Sequence, residues 1–230
     1  MKTLRPLVAE FIGTFFLCFA GIGAIVSETY RAGSVGLVGI AFAHGIALAV
    51  GVSATMHISG GHLNPAVTLG ALSIGRIDLK RAAGYIIAQL LAATVAALAV
   101  KGLYPEMAGM ISAYGAPKLA NDVTMIQGIV IEAIATFLLV FAVMGTAADS
   151  RASKMGGLFI GLTLFFSVLA VGQMTGAALN PARAFGSELV AWNWTGAAVY
   201  WIGPVLGGVL AAQVYERVLM EKNWATVRSA

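Results

Sequence analysis

The sequence predicts an all-α membrane protein: six transmembrane helices plus two re-entrant half-helices, built as inverted three-span repeats. Three observations lead there. The 230 residues are 59% hydrophobic and only 10% charged, against about 25% charged in soluble domains, so this surface suits a bilayer. Six apolar segments reach the roughly 20 residues that cross a bilayer, at about 6–27, 35–56, 80–101, 125–147, 156–174 and 195–216. Two others, 64–75 and 180–190, are too short to cross, and each opens with Asn-Pro-Ala.

Taken in order, Lys2 and Arg5 precede an apolar run from Leu7 to about Ser27. That run exceeds the roughly 7–15 residues of a signal-peptide core, so it reads as a retained first span. The second span runs into Ser59-Gly60-Gly61-His62-Leu63-Asn64-Pro65-Ala66-Val67-Thr68. Asn is a favoured N-cap, and Pro suits the first helical position because its missing N–H would be unpaired there anyway. A half-helix therefore starts at Asn64. After the third span, 102–124 carries Pro105, Pro117, Asn121 and Asp122 and is the longest connection. The fifth span leads into Thr175-Gly176-Ala177-Ala178-Leu179-Asn180-Pro181-Ala182-Arg183, a second helix start of the same kind. Gly157/Gly161 and Gly203/Gly207 have the four-residue spacing that lets helices cross closely in lipid.

The halves match. Glu10-x-x-x-Thr14-Phe15 pairs with Glu132-x-x-x-Thr136-Phe137, Asn64-Pro65-Ala66 with Asn180-Pro181-Ala182, and Tyr85 with Tyr200, at offsets of 122, 116 and 115 residues. The expected organisation is one domain over 1–230, with repeat one at about 6–101, a linker at 102–124 and repeat two at about 125–216. Three spans per unit is an odd number, so the second copy lies inverted. With the N-terminus inside, Lys2, Arg5, Arg76, Lys80, Arg81, Arg151, Lys154, Arg217, Lys222 and Arg228 face the cytoplasm, and Arg31, Lys101, Lys118 and Arg183 lie opposite. That bias predicts a multi-pass protein with both termini cytoplasmic, and we expect a prokaryotic plasma membrane.

Non-helical backbone at membrane depth is tolerated only when buried in protein or lining a wet cavity. Gly60, Gly61 and His62, and Gly176 and Ala178, are thus expected to present carbonyls to a water-filled path. Inversion brings the two Asn-Pro-Ala starts together at the midplane. Each helix start carries about half a positive charge. Two of them would repel a unit cation at about 4 Å by about 4 kcal/mol at an effective dielectric of 20. A neutral molecule escapes that cost. The amides of Asn64 and Asn180 can each donate to a passing oxygen; a water held by both would break a continuous proton wire. These residues point to a conduit for small neutral solutes that rejects ions and protons.

Both boxes, Ala9-Glu10-Phe11, the repeated intramembrane glutamates and Arg183 directly after the second box resemble the aquaporins of the major intrinsic protein family, from about Ala9 to Glu216. The resemblance implies one pore per subunit and a homotetramer. It also implies a four-residue constriction, which counting from the boxes puts on His44, Val168, Ala177 and Arg183. Strict water channels place aromatic Phe and His there. A histidine in the second span and a small aliphatic in the fifth are similar to plant tonoplast-intrinsic proteins and ammonia-permeable members. The expected cargo is water, extended to ammonia or hydrogen peroxide. Ala184 follows Arg183, where glycerol channels of the family carry Asp, and 102–124 lacks the histidine of some ammonia-passing members. A glycerol or small-solute facilitator is the alternative within the class.

Glu10 and Glu132 admit two readings, since intramembrane acids are functional candidates by default. They are struts for the re-entrant loops, or they relay protons in a coupled transporter. The symmetry favours struts, with His62 as further loop support beside Glu10. Tyr85, Tyr200, Trp192, Trp194 and Trp201 read as interfacial anchors, and Cys18, the only cysteine, as a packing residue. His57 and His62 straddle the Gly-Gly break and do not share a helix face, so no metal is expected. No cofactor, nucleic-acid partner or enzymatic constellation is expected either.

Overall fold

The computed structural model describes residues 4–149, 151–152 and 154–220, and those residues form an all-helical bundle. Of the charges used for topology, Lys2, Lys222 and Arg228 lie outside the described residues. The long helices are α1 (Leu4–Tyr30), α2 (Gly36–Ser59), α4 (Leu79–Leu103), α6 (Met125–Val143), α7 (Gly156–Thr175) and α9 (Ala197–Val214). The half-helices are α3 (Pro65–Ser73) and α8 (Pro181–Ala191). Helices α6 and α9 run on into single π turns at Met144–Ala148 and Tyr215–Leu219, and 6 helices among the described residues are long and apolar enough to cross a membrane. The segment read as a linker is partly helical, with α5 at Glu106–Ile111 and a 3₁₀ turn at Ala113–Gly115. Pro105 precedes α5 as its N-cap residue, at φ −56° and ψ 133°.

Each long helix before a half-helix ends on a left-handed glycine. Gly60 has φ 96° and donates its N–H to Met56 O at 3.0 Å; Gly176 has φ 82° and donates to Gly172 O at 2.9 Å. Only glycine takes that conformation without cost. The chain then reverses through an extended asparagine, Asn64 at φ −159° and Asn180 at φ −143°, and a proline starts the half-helix.

Close helix contacts fix the arrangement. Helix α1 packs on α2 and α4, α6 on α7 and α9, and α2 on α7. A Cβ on Gly157 would lie 2.9 Å from Ala49 O, and one on Gly203 would lie 2.8 Å from Ile129 O. The glycine spacings seen in the sequence therefore sit where α7 meets α2 and α9 meets α6. The half-helices cross over: α3 seats on α9 and α8 on α4. A Cβ on Gly70 would be 2.9 Å from Gly208 O, and one on Gly186 would be 2.8 Å from Thr94 N. Each half-helix is thus clamped to the last span of the opposite half, which carries both helix starts into the interior.

Candidate functional site

The two helix starts are tied to each other. The Asn64 Oδ1 accepts from Ala66 N at 2.8 Å, and the Asn180 Oδ1 accepts from Ala182 N at 3.0 Å and Arg183 N at 3.3 Å. The amide nitrogens cross over: Asn64 Nδ2 donates to Leu179 O, and Asn180 Nδ2 donates to Leu63 O, each at 2.9 Å. One hydrogen of each amide is therefore committed to the opposite loop, which leaves one N–H per asparagine for a solute. Pro65, Ala66, Pro181 and Ala182 are buried behind the asparagines.

The glutamates hold the loops. Glu10 is fully buried and accepts four hydrogen bonds, from Ser59 Oγ (2.6 Å), His62 N (2.9 Å), Leu63 N (2.7 Å) and Gln89 Nε2 (2.8 Å). Glu132, also fully buried, accepts three, from Thr175 Oγ1 (2.7 Å), Ala178 N (2.9 Å) and Leu179 N (2.8 Å). These bonds collect loop N–H groups that no helix or sheet satisfies, as buried backbone requires.

Tyr85 and Tyr200 overturn one expectation. They are not interfacial anchors: their exposures are 1% and 0%. Tyr85 donates its hydroxyl to Ser59 O at 2.8 Å, and Tyr200 donates to Thr175 O at 3.0 Å. A tyrosine so deeply buried needs a partner for its hydroxyl, and the carbonyl at the end of the preceding long helix supplies it. Trp192 and Trp194 are exposed and Trp201 is half-buried.

In the first half, Thr68 Oγ1 donates to Asn64 O at 3.0 Å and accepts from Gln89 Nε2 at 3.1 Å. Its one proton is thereby used, so the contact with His62 Nδ1 at 3.1 Å has the ring donating. The His62 ring packs edge-on to Tyr85, centroids 5.3 Å apart. It is the backbone N–H of His62, not the ring, that bonds Glu10. The second half offers Ala178 and Ala184 at the matching sequence positions and lacks this network.

A narrow cavity of about 20 Å³ runs past the asparagines, room for roughly one water. Its apolar lining includes Leu17, Leu48, Val52, Leu139, Ile160 and Leu164. The lining also includes His44, Gly61, His62, Asn64, Ala178, Leu179, Asn180 and Arg183. A second cavity of about 210 Å³ adjoins it through His62 and includes Gly60, Ala71, Arg76 and Ala148. Of the four constriction positions, His44 and Arg183 line the narrow cavity. Val168 and Ala177 are buried with Leu164 in the core and are not among its lining residues. Nor is Gly176, which packs against Pro117. His44 Nδ1 lies 2.9 Å from Ile40 O. A carbonyl only accepts, so the neutral ring holds its proton on Nδ1 and offers Nε2 as an acceptor. Arg183 is 2% exposed and does not snorkel. Cys18 is buried, and no metal-holding cluster occurs among the described residues.

Sequence reasoning missed Leu63 and Leu179, whose carbonyls receive the crossed amides. It also missed Ser59, Thr175, Gln89 and Thr68. The repeated Leu before each Asn-Pro-Ala was a usable signal.

A family model described as Major intrinsic protein matches residues 1–215. Among curated relatives, Aquaporin TIP4-4 of Zea mays is 44% identical, over 96% of this chain and 88% of that protein. Probable aquaporin TIP3-2 of Arabidopsis thaliana is 40% identical, over 95% and 85%. The X-ray structure of the aquaglyceroporin from Plasmodium falciparum superposes with a TM-score of 0.82 at 28% identity, over 99% of this chain and 100% of that one. The chain belongs to the major intrinsic protein family, the family of the aquaporins.

Proposed function

We propose that this chain is a passive transmembrane channel for water that excludes ions and protons. The single observation that carries the reading is the crossed pair Asn64–Leu179 and Asn180–Leu63, which holds two positive helix starts together at a cavity with room for about one water. In this reading Asn64 and Asn180 mark the midplane, and His44, Val168, Ala177 and Arg183 form the constriction. The proposed carbonyl path is Gly61, His62 and Ala178, with Gly60 on the adjoining cavity; Gly176 lies off the lining. The geometry supports His44 and Arg183 most directly, because both line the cavity. Water takes hydrogen bonds from the free N–H of each asparagine amide, and the aliphatic lining residues give it none, so a proton wire is broken there. Glu10 and Glu132 face loop donors rather than the cavity, which disfavours a proton-coupled transporter built on them. Ammonia and hydrogen peroxide, neutral and close to water in size, are proposed as additional cargo.

The proposed assembly is a homotetramer with one conduit per subunit, each subunit one domain of two inverted units joined by 102–124. The relatives named above are plant proteins and lend no support to a prokaryotic plasma membrane. The proposed placement is integral and multi-pass, with both termini cytoplasmic. Arg5, Arg76 and Arg151 belong to the inner side in that placement.

Stopped-flow light scattering on proteoliposomes tests the reading. Osmotic shrinkage well above empty vesicles is expected; shrinkage at the lipid rate rejects it. An internal-pH dye under an ammonium gradient tests ammonia. A glycerol gradient in the same vesicles tests the glycerol alternative suggested by the Plasmodium neighbour.

A further inference from the structure

Eight buried side-chain nitrogens and oxygens lack a hydrogen-bond partner among the described residues, and five of the eight lie close together on α8: Arg183 Nε and Nη1, Ser187 Oγ, and Glu188 Oε1 and Oε2. These side chains belong to residues 2%, 0% and 1% exposed. Unpaired buried polar groups are costly, and charged ones most of all. A cluster of opposite charge, with both donors and acceptors spare, therefore calls for a shared partner.

The geometry of α8 says what kind. Residues five apart on a helix are turned about 140° from one another, so Arg183 and Glu188 do not stack as an i,i+4 pair would. No ion pair within 4.0 Å joins them among the described residues. Arg183 and Glu188 are the charged residues of α8. Buried polar groups without a direct protein partner are satisfied by ordered water, and these side chains offer more than the two polar partners that a buried water needs. Arg183 lines the cavity, while Glu188 and Ser187 do not. The helix is pressed onto α4 at Gly186 and also contacts α9, so the cluster lies behind the cavity wall.

We propose that Glu188 is a positioning residue for Arg183. Through ordered water shared with Ser187 Oγ, its carboxylate holds Nε and Nη1 of the guanidinium from behind. That grip sets how far the cationic head enters the cavity and offsets part of its field. The inference rests on the reading of the cavity as a conduit.

Two measurements test it. A high-resolution structure of the wild-type protein should show ordered water within hydrogen-bonding distance of a Glu188 oxygen and of Arg183 Nε or Nη1. A dry gap with the two groups turned apart overturns the proposal. In proteoliposomes, Glu188→Gln frees the head to swing inward and should lower water permeability per channel about threefold, near the lower end of couplings within one polar network. Glu188→Asp should restore most of it. In an Arg183→Ala background, Glu188→Gln should change nothing. An equal effect in both backgrounds marks a merely structural role and overturns the proposal, as does no effect in the Arg183 background. If Arg183→Ala does not assemble, the water density decides. If the wild type conducts no water, the conduit reading fails, and the density still judges the Arg183–Glu188 link.

Discussion

The amide of Asn64 donates to the main-chain carbonyl of Leu179 across 2.9 Å, 115 residues away in the chain. With its counterpart from Asn180 to Leu63, it makes each cap of one loop the partner of the other. Leu63 and Leu179 are held at φ 52° and 50°, a left-handed conformation that costs a non-glycine residue on the order of 1–3 kcal/mol. The crossed bonds and the glutamates offset that strain, since both leucines also donate their N–H to Glu10 or Glu132.

Asn64→Ala removes a cap and orphans the buried Leu179 carbonyl. Cap loss costs about 1 kcal/mol and the unpaired carbonyl about 1–3 kcal/mol. The expected result is a clearly lowered thermal midpoint in detergent for Asn64→Ala, and equally for Asn180→Ala. A midpoint within error of wild type would mean the crossed bonds contribute nothing.

The two glutamates should not be equally sensitive. Glutamine in place of Glu10 keeps one accepting oxygen and turns an NH₂ toward at least two donors. At about 1.5–3 kcal/mol per charge-assisted bond, that loss reaches a large part of a typical stability of about 5–15 kcal/mol. Glu132→Gln can orient its oxygen to Thr175 and Ala178 and strand only Leu179 N. The yield of monodisperse protein should therefore fall more for Glu10→Gln than for Glu132→Gln. The reverse order would show that the bond inventory does not govern assembly.

How much of this was legible beforehand follows from what kind of signal each feature leaves. The spans and half-helices were readable because apolar length and an Asn-Pro start are local properties. The crossed amides were not, because Asn64 and Leu179 meet only after the fold has closed. Tyr85 and Tyr200 misled for the same reason: a tyrosine near a span end resembles an interfacial anchor until the carbonyl it caps is known. Segment 102–124 looked like plain linker because α5 is only a turn and a half long. Val168 and Ala177 were placed by counting from the boxes, and counting fixes a height in the bundle without fixing which neighbour a side chain meets.

Acid should leave one contact at the end of the bundle untouched until low pH. Arg151 bonds Asp149, Nη2 to Oδ2 at 2.6 Å, and together with its own N–H holds that carboxyl well below the usual carboxylate range; Tyr215 adds a bond at 3.2 Å. A carboxyl lowered on folding contributes stability that is present above its unfolded value, about 3.9, and lost as pH falls through the folded one. The difference in thermal midpoint between wild type and Asp149→Asn should therefore be the same at pH 5 and pH 8 and should shrink only in stronger acid. A difference that changes between pH 5 and pH 8 would place the titration elsewhere.

Gly21 gives a way to move His44 without replacing it. The imidazole lies against Gly21 of α1, and a Cβ there would fall 2.7 Å from Cε1, with Nε2 and Cδ2 nearer still. Helix α1 is fixed on α2 and α4 and cannot back away cheaply, because packed interiors absorb added volume poorly. The imidazole can move instead. Rotation away from α1 breaks the bond to Ile40 O and drives the ring into a cavity that has room for about one water. Gly21→Ala should therefore lower water permeability several-fold in protein that still purifies as a single species. Adding His44→Ala to Gly21→Ala removes the obstructing ring and should restore conduction to the level of His44→Ala alone. If the single variant conducts normally, the ring is not poised at the cavity wall. If the double variant stays blocked, the obstruction comes from displaced backbone and not from His44.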